Sequence, residues 1–370
     1  MASDSSEFST NDAPLDWDEL HSLVDRMSES GVGPGSFTET DWKSFAEAIE
    51  HLEAQEDEEG MIRLRKLMVP LYARDSVTGL PILEHIDHAS IDAAKRLSRH
   101  ADLGHFWGAR GHNLHRQGFH QAALEAFENS ITHYREVDMR FRALKSLRMQ
   151  SLCYRALGDV AAAKRVLQEV LAQTDPDDPW RGNPLQVLAW IRRDEGDWEQ
   201  AEALLQEALR LHRAGTKSDL LIAGALADLG EINRLQKRYA QAEAHFNESL
   251  RIISQYPGQY NRLEARTKTK YAELLIRQRE WDRAMQMLND ADRLASMYGR
   301  YYDSLWRIEL NFAYLYFRRL SIGLGFRKLR SGLRYRRALG VSTSEIVMRV
   351  AARAWNVIKV RVRGSLFLLM

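Results

Sequence analysis

The chain has 370 residues, 45% of them hydrophobic, and a formal net charge of +1. That is enough apolar material for a sizeable core, and no run approaches the ~18 apolar residues of a membrane span. The lone cysteine, Cys153, is read as excluding both a disulfide framework within the chain and a cysteine-ligated zinc site.

Charge is unevenly spread. Residues 1–60 hold 17 Asp/Glu against Arg26 and Lys43, a net of −15, and residues 318–370 hold 13 Lys/Arg against Glu345 alone, a net of +12. The opening Met1–Thr10 is polar and acidic and does not read as a secretory signal; the expected location is cytoplasmic, with a peripheral-membrane alternative. Residues 1–15 read as a disordered acidic tail. Helical signals follow at Asp16–Ser28, and the stretch from Gly31 to Gly35 breaks them. A second helix starts near Thr40 and carries Trp42, Phe45, Ile49 and Leu52 at helical spacing. A third spans about Glu58–Tyr72. Leu80–Pro81 reads as an interruption, and a fourth helix runs to about His100. Residues 16–101 thus form a separate N-terminal helical block.

From Gly104 onward five alanines recur at gaps of 40, 38, 41 and 42 residues: Ala123, Ala163, Ala201, Ala242 and Ala284. Twelve positions before each stands a small residue (Gly111, Ser151, Ala189, Gly230, Ala272). Four after each stands a large apolar one (Phe127, Leu167, Leu205, Phe246, Leu288). Such a period marks a repeat array. Each unit reads helix, tight turn, helix, with Gly118, Gly158 and Gly196 suited to the left-handed residue that closes the first helix.

These residues resemble tetratricopeptide repeats over about residues 104–340. The first unit (Trp107, Gly111, Leu114, Gly118, Ala123, Phe127, Ser130) and the fourth (Leu229, Gly230, Tyr239, Ala242, Phe246, Ser249) carry the pattern best. A degenerate sixth unit places Ala313, Tyr316, Gly325, Leu329 and Gly332 in phase. The period near 40 is similar to the long-helix subclass that includes kinesin light chains and bacterial Rap-like regulators. Arg192, Asn233 and Lys268 depart from that pattern. The resemblance implies an all-α, right-handed α-solenoid of stacked helical hairpins, whose first helices line a concave face.

Groove positions carried over from that resemblance are His105, His112, His115 and Arg116 in the first unit and Lys145, Arg148 and Arg155 in the second. The third supplies Asn183, Gln186, Trp190, Arg193 and Asp194, the fourth Glu231 and Arg234, the fifth Arg266, Glu273 and Arg277. Eight Lys/Arg against three acids predict a groove for an acidic or extended segment of another protein, because arginine forks match carboxylates. The competing reading pairs these arginines with neighbouring acids. The acidic N-terminal segment is a candidate ligand within the chain or in a second copy.

His112 and His115 stand three apart, so both could face one metal, but with no Cys or carboxylate to complete the set neither a metal nor any other cofactor is expected. No phosphate-binding glycine loop, H-E-x-x-H or nucleophile–base signature occurs, so no catalytic residue is expected. Residues 341–370 read as a basic amphipathic C-terminal helix. With Arg327, Lys328, Arg330, Arg334, Arg336, Arg337, Arg349, Arg353 and Trp355 it could close the solenoid, lie on an anionic membrane, or bind nucleic acid, in that order of preference. The expected function is a non-enzymatic interaction scaffold or adaptor. A peptide-responsive regulator of Rap-like layout and a membrane-associated assembly factor are the alternatives.

Overall fold

The computed structural model describes residues 15–29, 39–72, 80–215, 218–258, 260–296, 305–319 and 321–338. Residues 1–14 and 339–370 lie outside them, and with these nearly all of the expected acidic tail and C-terminal helix, including Arg349, Arg353 and Trp355. The described residues are mainly helical, and no strand occurs among them. The chain divides into two compact units, residues 1–97 and 98–370.

The first unit holds α1 (Trp17–Glu29), α2 (Glu39–Ala54), α3 (Glu58–Leu67), α4 (Val69–Tyr72) and α5 (Leu80–Arg96). Asp16 opens α1 by accepting from the amides of Asp18 and Glu19. Trp42, Phe45, Ile49 and Leu52 are buried, as their spacing predicts. The expected interruption at Leu80–Pro81 is instead the start of α5. Proline fits a first turn, where its missing N–H has no intrahelical partner in any case. Between α3 and α5 the fully buried Arg65 donates from Nε to Asp87 Oδ1 at 2.7 Å. The chain turns at Ser98, whose φ of 52° ends helical propagation before His100.

The second unit is a right-handed solenoid of hairpins. Five pairs cover α6 (His100–Gln117) with α7 (His120–Glu136), α8 (Arg140–Leu157) with α9 (Val160–Ala172), α10 (Gly182–Glu195) with α11 (Trp198–Gly215), α12 (Asp219–Leu235) with α13 (Tyr239–Ile253), and α14 (Asn261–Gln278) with α15 (Trp281–Ser296). The expected sixth is α16 (Leu305–Arg318) with α17 (Ile322–Ala338). All five periodic alanines have no exposed surface, and the large residues four positions on are equally buried. The small positions have a steric cause: a Cβ on Gly111 would stand 2.8 Å from the Phe127 ring, and one on Gly230 2.7 Å from Phe246. The sixth hairpin keeps Ala313 and Leu329 together and adds a second small–large pair. Phe317 lies on the first helix, and Gly325 on the second makes room for it, at 2.6 Å from a virtual Cβ.

Two buried serines repeat one tie. Ser130 Oγ donates to Gly104 O and Ser249 Oγ to Ala223 O, each binding a second helix to the first turn of its partner. Gly118, Gly158 and Gly196 close their helices at φ of 89°, 87° and 86°; Lys237 and Arg279 occupy the same region in the next two repeats, at 65° and 67°. Asp159 caps α9, accepting from the Ala162 amide at 2.9 Å. Asp159→Ala should cost about 1 kcal/mol, read as a lower denaturation midpoint at unchanged m-value.

Candidate functional site

Four successive first helices, α10, α12, α14 and α16, wall a cavity of about 970 Å³. An ion-pair lattice built from repeat-related positions reaches the cavity lining through Arg193, Glu231, Arg234, Glu273 and Arg307, which form the cavity floor, and extends from them to Asp228 and Lys270. Asp228 on α12 receives Lys270 Nζ from α14 at 2.5 Å, and Gln186 Nε2 and Trp190 Nε1 from α10 at 2.6 and 2.7 Å. Lys270 also reaches Glu231 at 2.7 Å. Glu231 meets Arg193 at 3.1 Å and Arg307 at 3.3 Å. Arg307 binds Glu273 at 2.9 Å, and Arg234 binds it at 3.1 Å.

Burial alone would raise the three carboxyl groups. The cationic neighbours outweigh it: Lys270 and Arg266 hold Asp228 below the usual carboxylate range, and Lys270, Arg193, Arg307 and Arg234 hold Glu231 well below it. Arg307 and Arg234 do the same for Glu273. All three are therefore charged at neutral pH. Trp190 lies between the guanidinium groups of Arg155 and Arg266, each 5.8 Å from its ring.

Much of the expected basic groove is thus internally neutralised. Arg155 makes two bonds to Asp194 Oδ2, and Arg193 binds both Asp194 and Glu231. Asn183 is spent locally on Trp180 O. Sequence reading passed over Asp228, Lys270 and Arg307; the available signal was Gln186, Asp228 and Lys270 standing one 42-residue repeat apart.

Other cations in and beside the cavity keep no carboxylate. Arg277 and Arg279 are exposed on its rim and make no ion pair among the described residues. Arg318 packs over Trp281 at 4.7 Å. Trp306 and Tyr314 complete an aromatic wall. Toward the first repeats, Lys145 lies over Phe141 at 4.6 Å. Arg148 donates only to Met149 Sδ, and burial lowers its guanidinium to about 10. His112 stays solvent-exposed, but the protein mass around it, then Arg148 and Arg116, lower its imidazole to about 4. His105 packs beside Phe106.

His112 and His115, three apart on α6, have different companions. His112 packs edge-on to Phe127, and the companions of His115 are His120 and Cys153. Helix α8 carries Cys153 to within 3.4 Å of His115 Nδ1. On α17, Lys328 binds Glu309 at 3.1 Å and Arg336 lies over Trp306, both turned to α16. Arg327, Arg330, Arg334 and Arg337 are exposed. Among the described residues no helix is long and apolar enough to cross a membrane.

Sequence models of the tetratricopeptide repeat match residues 145–177, 185–217 and 221–295. The chain is a tetratricopeptide repeat protein. No curated protein matches it. Among solved structures it is similar to a Rap protein complexed with Competence and Sporulation Factor (TM-score 0.59, 13% identity, 88% of this chain and 94% of that one). It is also similar to NprR in complex with its cognate peptide NprX (0.53, 16%, 86% and 88%) and to the apo form of RapI (0.52, 11%, 81% and 99%). At these identities the likeness is one of fold. The tetratricopeptide repeats support a protein-interaction role.

Proposed function

We propose that the array is a non-enzymatic receptor for an extended acidic segment of a peptide or partner protein, held in the cavity between α10, α12, α14 and α16. The carrying observation is the rim: Arg277 and Arg279 stand without carboxylate partners beside Trp306 and Tyr314, above a floor whose charges are already paired. A fixed floor costs little to organise on binding, and the rim arginines supply bidentate donors. Arg279 adds a conformational argument. It holds a left-handed backbone where three other repeats use glycine, at a cost of about 1 kcal/mol, and in return places a guanidinium on the rim.

The NprR complex with its peptide supports the ligand class by likeness of fold.

The test uses fluorescence anisotropy with two synthetic extended peptides, one rich in Asp/Glu with an aromatic residue, the other with Lys at the same positions. The acidic peptide should bind, more weakly as salt rises. Arg277→Glu/Arg279→Glu should weaken it by about tenfold or more, equivalent to about 1.4 kcal/mol. Arg210→Glu, on α11 outside the cavity lining, should leave it unchanged. Arg279→Gly should raise the denaturation midpoint while weakening binding. Equal binding of the Lys peptide, or undiminished binding by the double variant, overturns the reading.

A further inference from the structure

The turn of the first hairpin differs in kind from those that follow. Three residues before the closing glycine, the second and third repeats carry Arg155 and Arg193, which bind acids; the first carries His115. Two residues after that glycine they carry Val160 and Trp198; the first carries His120. Five before the glycine, the second repeat carries Cys153, which projects from α8 toward this turn. One ligand atom from each of His115, His120 and Cys153 lies within 4.8 Å of the others. Cys153 Sγ is 3.4 Å from His115 Nδ1, and the two imidazole rings are 5.0 Å apart.

We propose that His115, His120 and Cys153 form a Zn²⁺ site joining the first two repeats. Zinc takes sulfur at about 2.3 Å and imidazole nitrogen at about 2.0–2.1 Å in tetrahedral geometry, which sets sulfur and nitrogen about 3.5 Å apart. The Cys153–His115 separation already meets that value.

The backbone is fixed beforehand. The amides of Gly118 and Phe119 donate to His115 O and Leu114 O, and Gly118 adopts φ 89°, so α6 ends and α7 begins with both histidines on one side of a closed turn. A thiol–imidazole hydrogen bond accounts for Cys153 and His115 but leaves His120 Nδ1 buried without a hydrogen bond; a metal ion uses all three side chains. Both histidines are half-buried, giving the ion a route in and leaving water the fourth position. On binding, the Cys153 Sγ–H bond breaks, the Zn–S bond forms with the electron pair left on sulfur, and the proton passes to buffer.

The other histidine cluster of the first hairpin, His100, His133 and Glu136, lies at its opposite end. It has no thiolate, and its carboxylate sits on the exposed surface with both histidines against it. It serves as the internal control.

The experiment titrates the full chain with Zn²⁺ in competition with a chromophoric chelator, and separately with Co²⁺. The expected results are one ion per chain, a thiolate-to-cobalt charge-transfer band, and a Zn²⁺-dependent rise in Tm. Cys153→Ser should abolish the band and weaken Zn²⁺ at least tenfold; His120→Ala, which leaves the thiol in place, should also weaken Zn²⁺. His133→Ala should change neither. Absence of the band in wild type, a band that survives in Cys153→Ser, or Zn²⁺ binding lost in His133→Ala but kept in Cys153→Ser overturns the proposal. Far-UV circular dichroism of each variant separates loss of the site from loss of the fold.

Discussion

Lys270→Ala is expected to destabilise the array by about 3–5 kcal/mol, the range for removing one partner of a buried ion pair. The Lys270 side chain is 3% exposed, and its partners Asp228 and Glu231 are 2% and 6% exposed. Without the ammonium, Glu231 keeps Arg193 and Arg307, and Asp228 keeps the Gln186 and Trp190 donors, so the lower part of that range is expected. Lys268→Ala should cost under about 1 kcal/mol, because Lys268 meets Glu264 and Asp290 nearer the solvent. Lys270→Met/Asp228→Asn should recover most of the loss by removing both opposite charges. Urea denaturation followed by circular dichroism measures all three. A loss for Lys270→Ala no larger than for Lys268→Ala would show that the lattice contributes no more than a surface pair.

The same lattice sets an acid limit. Asp228, Glu231 and Glu273 all have folded pKa values below their unfolded ones. Their contribution is therefore fully present above the ordinary carboxylate range, near pH 4, and is lost as pH falls through the lower folded values. The urea midpoint should hold from pH 7 to about 5 and drop below 4. In Lys270→Ala the drop should begin at higher pH, since the strongest opposing charge on Asp228 is gone.

The repeats were legible in the sequence because they rest on size. An alanine that must vanish at a helix crossing, a glycine under a phenylalanine and a glycine at positive φ each leave a mark in one residue type at one spacing. The lattice left a weaker mark. Asp228 lies in a run from Ala223 to Asn233 that is buried throughout, and nothing local distinguishes a carboxylate that will meet Lys270 from one that will meet water. Its partners come from α10 and α14, a full repeat away on either side. Counting charges along the first helices therefore gave a basic groove, where pairing charges across repeats gives a neutral floor with a basic rim. The surroundings of Cys153 left no mark for the same reason: its neighbours in sequence are Leu152 and Tyr154, and its neighbour in space is His115. Pro81 was misread locally, as a break where it serves as a first turn.

Phe246→Ala should cost about 3–5 kcal/mol and should divide the unfolding of the array into two steps. The ring is fully buried and fills the space that Gly230 leaves on α12. It also stacks on Tyr271 of α14, with centroids 5.5 Å apart and planes 22° from parallel. Tyr271 in turn donates to Glu243 of α13 at 2.7 Å. One side chain thus joins three helices of two neighbouring hairpins. In a solenoid each hairpin is stabilised by its neighbours alone, so a break at one interface separates the parts on either side. Hydrogen exchange should show α13 and α14 losing protection first, with α6–α9 retaining theirs. Gly230→Val attacks the same contact from the other side. Its Cβ would enter the Phe246 ring at 2.7 Å, an overpacking worth about 1–3 kcal/mol. If the two positions share one space, Gly230→Ala/Phe246→Leu should be more stable than either Gly230→Ala or Phe246→Leu is expected to be from adding their separate losses. Simple additivity would show that Gly230 is small for a reason other than the ring beneath it.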